Sequence, residues 1–144
     1  MIREVFSGPE VPRALGPYSP VVKAGQLVFV SAQAGVDPAT NQAPDGGFEE
    51  ECRQAFSNVA LALKAAAAEL CDVVKTMILY ANPDDLPTIN AIYAEVFPLD
   101  PPARTAAIVR LAGGRRIAVD AIAAISRNEA AAVIDGSSRL AGKS

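Results

Sequence analysis

Two β-type stretches, LVFVSA (Leu27 to Ala32) and DVVKTMILY (Asp72 to Tyr80), carry apolar residues at both alternating sets of positions. Successive side chains of a strand point to opposite faces, so a sheet built from these strands must be covered on both sides. The chain offers few helices for that task. Cys52, Phe56, Val59, Leu63, Ala67 and Leu70 recur at spacings of four or three, which places them on one face of a helix. Glu49, Glu50 and Glu51 crowd its start, where the helix dipole favours negative charge. A second helix is predicted after Asn82, a capping residue, and Pro83, suited to a first helical position. It carries Leu86, Ile89, Tyr93 and Val96 on one face and ends before Pro98. Two such helices cover one face of a sheet. The other face needs a second copy of the chain, which predicts a homo-oligomer with grooves at its subunit boundaries.

The remaining strands follow from alternation and punctuation. Ile2 to Ser7 reads as a strand, and GPEVPRALGPYSP after it is a Pro- and Gly-punctuated loop. Val21 to Ala24 and Leu27 to Ala32 form a hairpin about Gly25-Gln26. ARTAAIVRL and RIAVDAIAAI are predicted as a second hairpin around the AGGRR turn. The order is β, β-hairpin, α, β, α, β-hairpin, an α+β fold with a mixed sheet and two helices on one face. At 144 residues the chain suits one domain, expected over residues 1–126, with a C-terminal tail over 127–144 outside the core.

Composition narrows the chemistry. There is no histidine, which removes the commonest general base and the commonest metal ligand together. Cys52 and Cys71 sit in no C-x-x-C pattern and read as reduced structural thiols. We expect no metal and no organic cofactor. The formal charge of -3 argues against a nucleic-acid surface, since phosphate binding rests on clustered Lys and Arg, and Arg115-Arg116 is the only adjacent basic pair. No uncharged apolar run reaches about 18 residues and the start lacks a signal-like apolar segment, so a cytoplasmic protein without a membrane partner is expected. Chemistry must come from carboxylates, backbone groups, Tyr, Ser or Arg. Arg104, in PPARTAAIVR, follows two prolines at the start of a strand with apolar residues behind it. A guanidinium there must be paired or lie in a wet cleft, and the residues alone leave both readings open.

GPYSPVVKAGQLVFVSAQAGVDPAT, DVVKTMILY, INAIYAEVFP, PPART and IAVDAIA, in that order, resemble the RidA (YjgF) family of enamine/imine deaminases, from about Gly16 to Ile125. The resemblance implies a chorismate-mutase-like subunit assembled as a homotrimer, with a site in each cleft between neighbours. It implies that Arg104 clamps a substrate carboxylate, a task suited to the bidentate guanidinium fork. Asp120 falls where the family usually has a glutamate that holds the attacking water. Here the carboxylate is one methylene shorter, and a salt bridge to Arg115 or Arg116 is the other reading. Tyr18 matches a tyrosine that closes the cleft, or packs on a neighbouring subunit. Ser31 and Ala32 stand where the family commonly reads Ser-Gly, whose backbone groups face the ligand. Asn90 matches a cleft-edge position, against the alternative of a solvated helix face. Ala106 replaces a common cysteine.

The activity so implied is hydrolysis of reactive 2-imino or 2-enamino acids to 2-keto acids and ammonia, as by a 2-iminobutanoate/2-iminopropanoate deaminase. An electrophilic imine carbon needs little machinery beyond a carboxylate clamp and one positioned water. The alternative is a non-catalytic trimer that binds small carboxylic acids through the same cleft. Endoribonuclease activity, attached to some family members by name, fits the acidic charge poorly.

Overall fold

Val28, Val30, Ile78, Ile117 and Val119 alternate with more exposed neighbours along their strands, and all are buried to within a few per cent against the helices. In the computed structural model, which describes residues 2–125, they lie on one face of a single sheet. The sheet consists of β1 (Arg3–Phe6), β2 (Val21–Ala24), β3 (Leu27–Ala34), β4 (Val73–Tyr80), β5 (Ala103–Ile108) and β6 (Ile117–Ala124). Its order is β1-β2-β3-β6-β4-β5. The helices α1 (Phe48–Ala65) and α2 (Leu86–Val96) pack on the buried face. The β1–β2 and β2–β3 pairs are antiparallel, the second being the hairpin predicted about Gly25-Gln26.

The hairpin expected around AGGRR does not form. β5 pairs in parallel with β4, and β6 lies antiparallel between β3 and β4. The reason is the α2 crossover, which brings β5 back alongside β4 in the same direction, as strands joined through a helix must lie when they are neighbours. The far edge of β4 is then free for β6, which gains hydrogen-bonded neighbours on both sides. The connection Val109–Arg116 runs across the end of β4: Val109 donates its N–H to Tyr80 O (2.9 Å) and Ala81 donates to Arg116 O (3.1 Å). Gly113 (φ 71) and Gly114 (φ 70) supply the left-handed backbone of this turn.

Helix α1 stops at Ala65, before the end of its predicted stripe. Ala67 takes φ 59, and the N–H groups of Ala67 and Ala68 bond to Lys64 O (3.0 Å) and Leu63 O (2.9 Å), a Schellman closure with alanine where glycine is favoured. Leu70 lies beyond it in a single 3-10 turn and still packs against the core. Asn82 and Pro83 open a 3-10 turn, Pro83–Asp85, and not α2 itself: Asn82 Oδ1 accepts from Asp84 N (2.8 Å), and α2 follows directly from Leu86.

The opposite face of the sheet is open. Val5 is 50% exposed, Leu27 42%, Phe29 38% and Met77 36%, apolar residues of β1, β3 and β4 left open to solvent. The two helices leave this face uncovered, as the count of elements anticipates. No helix among the described residues is long and apolar enough to cross a membrane. The tail predicted over 127–144 lies outside the described residues.

Candidate functional site

Register decides where each candidate points. Val30 pairs with Ala121 and Gln33 with Val119, so Ser31 and Ala32 together oppose the single residue Asp120. This is a β-bulge, a device that re-aims side chains beside functional sites. The loop before β2 is tied to it: Ser31 Oγ donates to Ser19 O (2.8 Å) and Ser31 N to Pro20 O (3.0 Å). Tyr18, 48% exposed, sits in that loop and its Oη accepts from Leu15 N (3.2 Å). Tyr18, Ser31, Ala32 and Asp120 are thus brought together at the bulge.

Asp120 Oδ1 accepts the N–H of Met77 at 3.1 Å. Burial pushes its carboxyl above the usual range, partly offset by the Met77 N–H and the Lys75 ammonium. The ion pair considered for it with Arg115 or Arg116 is absent among the described residues. Arg116 instead grips Asp85 through Nη2 (3.0 Å to both oxygens), lies 4.8 Å from the Phe48 ring, and donates its backbone N–H to the buried Glu51 carboxylate (2.7 Å).

Arg104 lies on the other side of the sheet. It pairs in register with the buried Thr76, and its guanidinium carbon stands 4.9 Å from the centre of the Tyr93 ring on α2. Tyr93 Oη and Thr76 Oγ1 share a hydrogen bond of 2.7 Å, which fixes the platform under the cation. Desolvation raises the Tyr93 hydroxyl, with the Thr76 bond and the Arg104 charge opposing. Arg104 is in no ion pair among the described residues. Asn90 is exposed one helical turn before Tyr93. The candidates therefore form two groups in one subunit, Tyr18, Ser31, Ala32 and Asp120 at the bulge, Asn90 and Arg104 at the helix-side edge.

A cavity of about 330 Å³ opens beside the bulge, between the loop that carries Tyr18 and the β5–β6 connection. Ala32, Gln33, Asn58 and Ala118 form its floor, and Arg13 and Arg115 stand in its walls. Neither Arg104 nor Asp120 lines it, and the β6 residue that does is Ala118. Sequence reading missed Gln33, Asn58 and Arg13. Asn58 is buried on the packing side of α1, where it donates to Ala34 O (3.0 Å) and Val36 O (2.8 Å). A polar residue beside an apolar helix stripe was the signal for it.

Residues 9–125 match the family described as Endoribonuclease L-PSP. The chain is 40% identical over 124 residues to the human 2-iminobutanoate/2-iminopropanoate deaminase, covering 85% of this chain and 90% of that protein. It is 39% identical to Reactive Intermediate Deaminase A, chloroplastic, of Arabidopsis thaliana, over 85% of this chain and 66% of that protein. The crystal structure of RidA from an Antarctic Psychrobacter superposes with a TM-score of 0.80 at 31% identity, covering 85% of this chain and 99% of the other. Escherichia coli TdcF, crystallised with bound serine, gives 0.79 at 29%, with the same coverage.

Proposed function

The chain belongs to the Endoribonuclease L-PSP (RidA) family, and from that premise we propose that it hydrolyses reactive 2-imino and 2-enamino acids to 2-keto acids and ammonia. The reading rests on its similarity to the human and plant deaminases over most of the chain. The enzyme works as a homotrimer in the cytoplasm, on intermediates released by pyridoxal-phosphate dehydratases. Its site is composite. One copy supplies Arg104 and Asn90 from the β5 edge, and a neighbour supplies Tyr18 and the Ser31-Ala32 bulge. What supports this is the register, which separates these groups within one subunit and leaves the sheet face beside the bulge open.

Arg104, held over the Tyr93 ring with no carboxylate partner among the described residues, offers its fork to the substrate carboxylate. Tyr18 closes over the ligand and backbone groups at Ser31-Ala32 orient it. Water adds to the C=N carbon, its proton passes to nitrogen, and the carbinolamine collapses to the keto acid as ammonia leaves. Asp120 holds the water through Oδ2, since Oδ1 already accepts the Met77 N–H. Burial makes its carboxylate more basic, which suits a group that takes a proton in passing.

The test is a coupled reaction in which a dehydratase generates 2-aminoacrylate and pyruvate formation is followed with and without this protein. Acceleration is expected. Failure to accelerate hydrolysis of several 2-imino acids would leave the second reading, carboxylate binding without turnover. That reading is favoured by one observation, that no carboxylate lines the cavity beside the bulge.

A further inference from the structure

The cavity beside the bulge is larger than a small imino acid needs. Its volume of about 330 Å³ corresponds to roughly ten times the share of one water in the liquid, whereas 2-iminopropanoate has only six heavy atoms. Its walls are also unbalanced in charge. Arg13 comes from the loop before β2 and Arg115 from the β5–β6 connection, and no Asp or Glu lines the space with them. Among the described residues, Arg53 and Arg116 are matched by carboxylates, while Arg13 and Arg115 are in no ion pair.

The neutral donors in the walls are largely committed. Asn58 Nδ2 serves Ala34 O and Val36 O, and Gln33 Nε2 serves Ser31 O at 3.1 Å. The guanidinium groups, with the Tyr18 hydroxyl and the Asn41 amide, are the donors left for a guest, and only the guanidinium groups carry charge. Two cations lining a concave space without a counter-charge raise the local concentration of anions. A guanidinium binds a carboxylate more strongly than neutral donors do.

We propose that this cavity is a second anion subsite, so that the preferred substrates are dicarboxylic 2-imino acids. Arg13 and Arg115 receive the distal carboxylate. This rests on the reading of Arg104 as the clamp for the carboxylate beside the imine carbon. The reaction is unchanged: water enters at the imine carbon and ammonia leaves, with the distal carboxylate a spectator that fixes the chain. A diacid has a second carboxylate to send from the bulge into the adjoining cavity, and a monocarboxylic imino acid has none.

Two arms test this. In the kinetic arm, 2-iminosuccinate, 2-iminoglutarate and 2-iminobutanoate are generated in situ by amino-acid oxidases, and keto acid formation is compared for the wild type, R13Q, R115Q and the double variant. Charge-assisted hydrogen bonds of about 1.5 to 3 kcal/mol predict at least a roughly tenfold preference in kcat/KM for a diacid. The double variant should lose that preference. In the binding arm, calorimetry compares the stable products 2-oxoglutarate and 2-oxobutanoate. Tighter 2-oxoglutarate binding that weakens in the double variant supports the subsite even if no imine is turned over, which separates it from the deaminase reading. If Arg104→Ala leaves both acids bound as before while the double variant weakens 2-oxoglutarate, the clamp fails and the subsite stands. Equal affinity for both acids in the wild type, or a preference that survives in the double variant, overturns the proposal.

Discussion

At the scale of single residues, Arg104 and Asp120 present opposite energetics. Arg104 rests on an aromatic face without an ion pair among the described residues, so its contribution to folding is a cation–π contact of about 0.5 to 1 kcal/mol. Arg104→Ala should lower Tm by only a few degrees while abolishing imine hydrolysis, and Arg104→Lys should rescue little, because an ammonium lacks the planar fork. A sharply lowered melt with surviving hydrolysis would reverse that assignment. Asp120 is held in a setting that raises its carboxyl through burial. The folded state therefore binds the proton more readily than the unfolded chain. The stability this contributes is fully present below the ordinary carboxyl range and is lost as pH rises through the raised value. Asp120→Asn keeps an acceptor for the Met77 N–H and removes the charge. It should raise stability near neutral pH and flatten the dependence on the acid side, measured by urea unfolding at a series of pH values. Cys52 is a contrast: burial pushes its thiol up to about 12, which suits a core position and not a nucleophile.

At the scale of elements, the end of β3 depends on α1. Gly35 passes so close to the Glu51 carbonyl that a Cβ there would collide with it, and Asn58 ties down the carbonyls of Ala34 and Val36 on either side. Asn58→Ala strands two carbonyls against the helix and should cost about 2 to 3 kcal/mol, seen as a lower urea midpoint with an unchanged slope. The same change should loosen the bulge and slow catalysis. The end of α1 offers the reverse effect. Ala67 occupies the left-handed region at φ 59, where a Cβ costs roughly 1 to 2 kcal/mol. Ala67→Gly should therefore raise stability, by about 1 kcal/mol once the looser unfolded chain is allowed for. A Tm that falls would show that the alanine methyl packs better than the backbone strains.

At the scale of the whole molecule, the open sheet face carries the prediction of assembly. Phe29, Met77, Leu27 and Val5 together form an apolar surface of a kind that isolated soluble chains rarely leave bare. Light scattering at micromolar concentration should give a trimer. Met77→Glu sets a carboxylate directly opposite Asp120 in the sheet register and should shift the population toward monomer. Because the proposed site draws on two copies, that variant should lose activity in step with its oligomeric state. A wild-type chain that stays monomeric would remove both the trimer and the shared cleft.

The sequence by itself determined the elements and the need for a cover. Alternation and turn residues placed β1 and β2, apolar runs placed β3 and β4, the four-three spacing placed α1, Asn82-Pro83 announced the turn that leads into α2, and apolar residues on both strand faces predicted a partner. These are local signals, carried by neighbours a few residues apart. Arg104 stood out by its place after two prolines, but its role as a clamp, and Tyr18 altogether, were legible only through the quoted motifs, since spacing says nothing of what faces a cleft. Tertiary structure alone decided the rest. The place of β6 between β3 and β4 follows from the α2 crossover, so two strands adjacent in sequence were separated by a pairing that no local pattern encodes. The same pairing set Ser31-Ala32 against Asp120 as a bulge and sent Arg104 to the opposite face. Arg13 and Arg115, about a hundred residues apart in the chain, meet at one cavity because the loop before β2 and the β5–β6 connection both close over the end of the sheet. Charge balance in a cavity depends on which groups are left unpaired after folding, and that is fixed by distances in space, not by order along the chain.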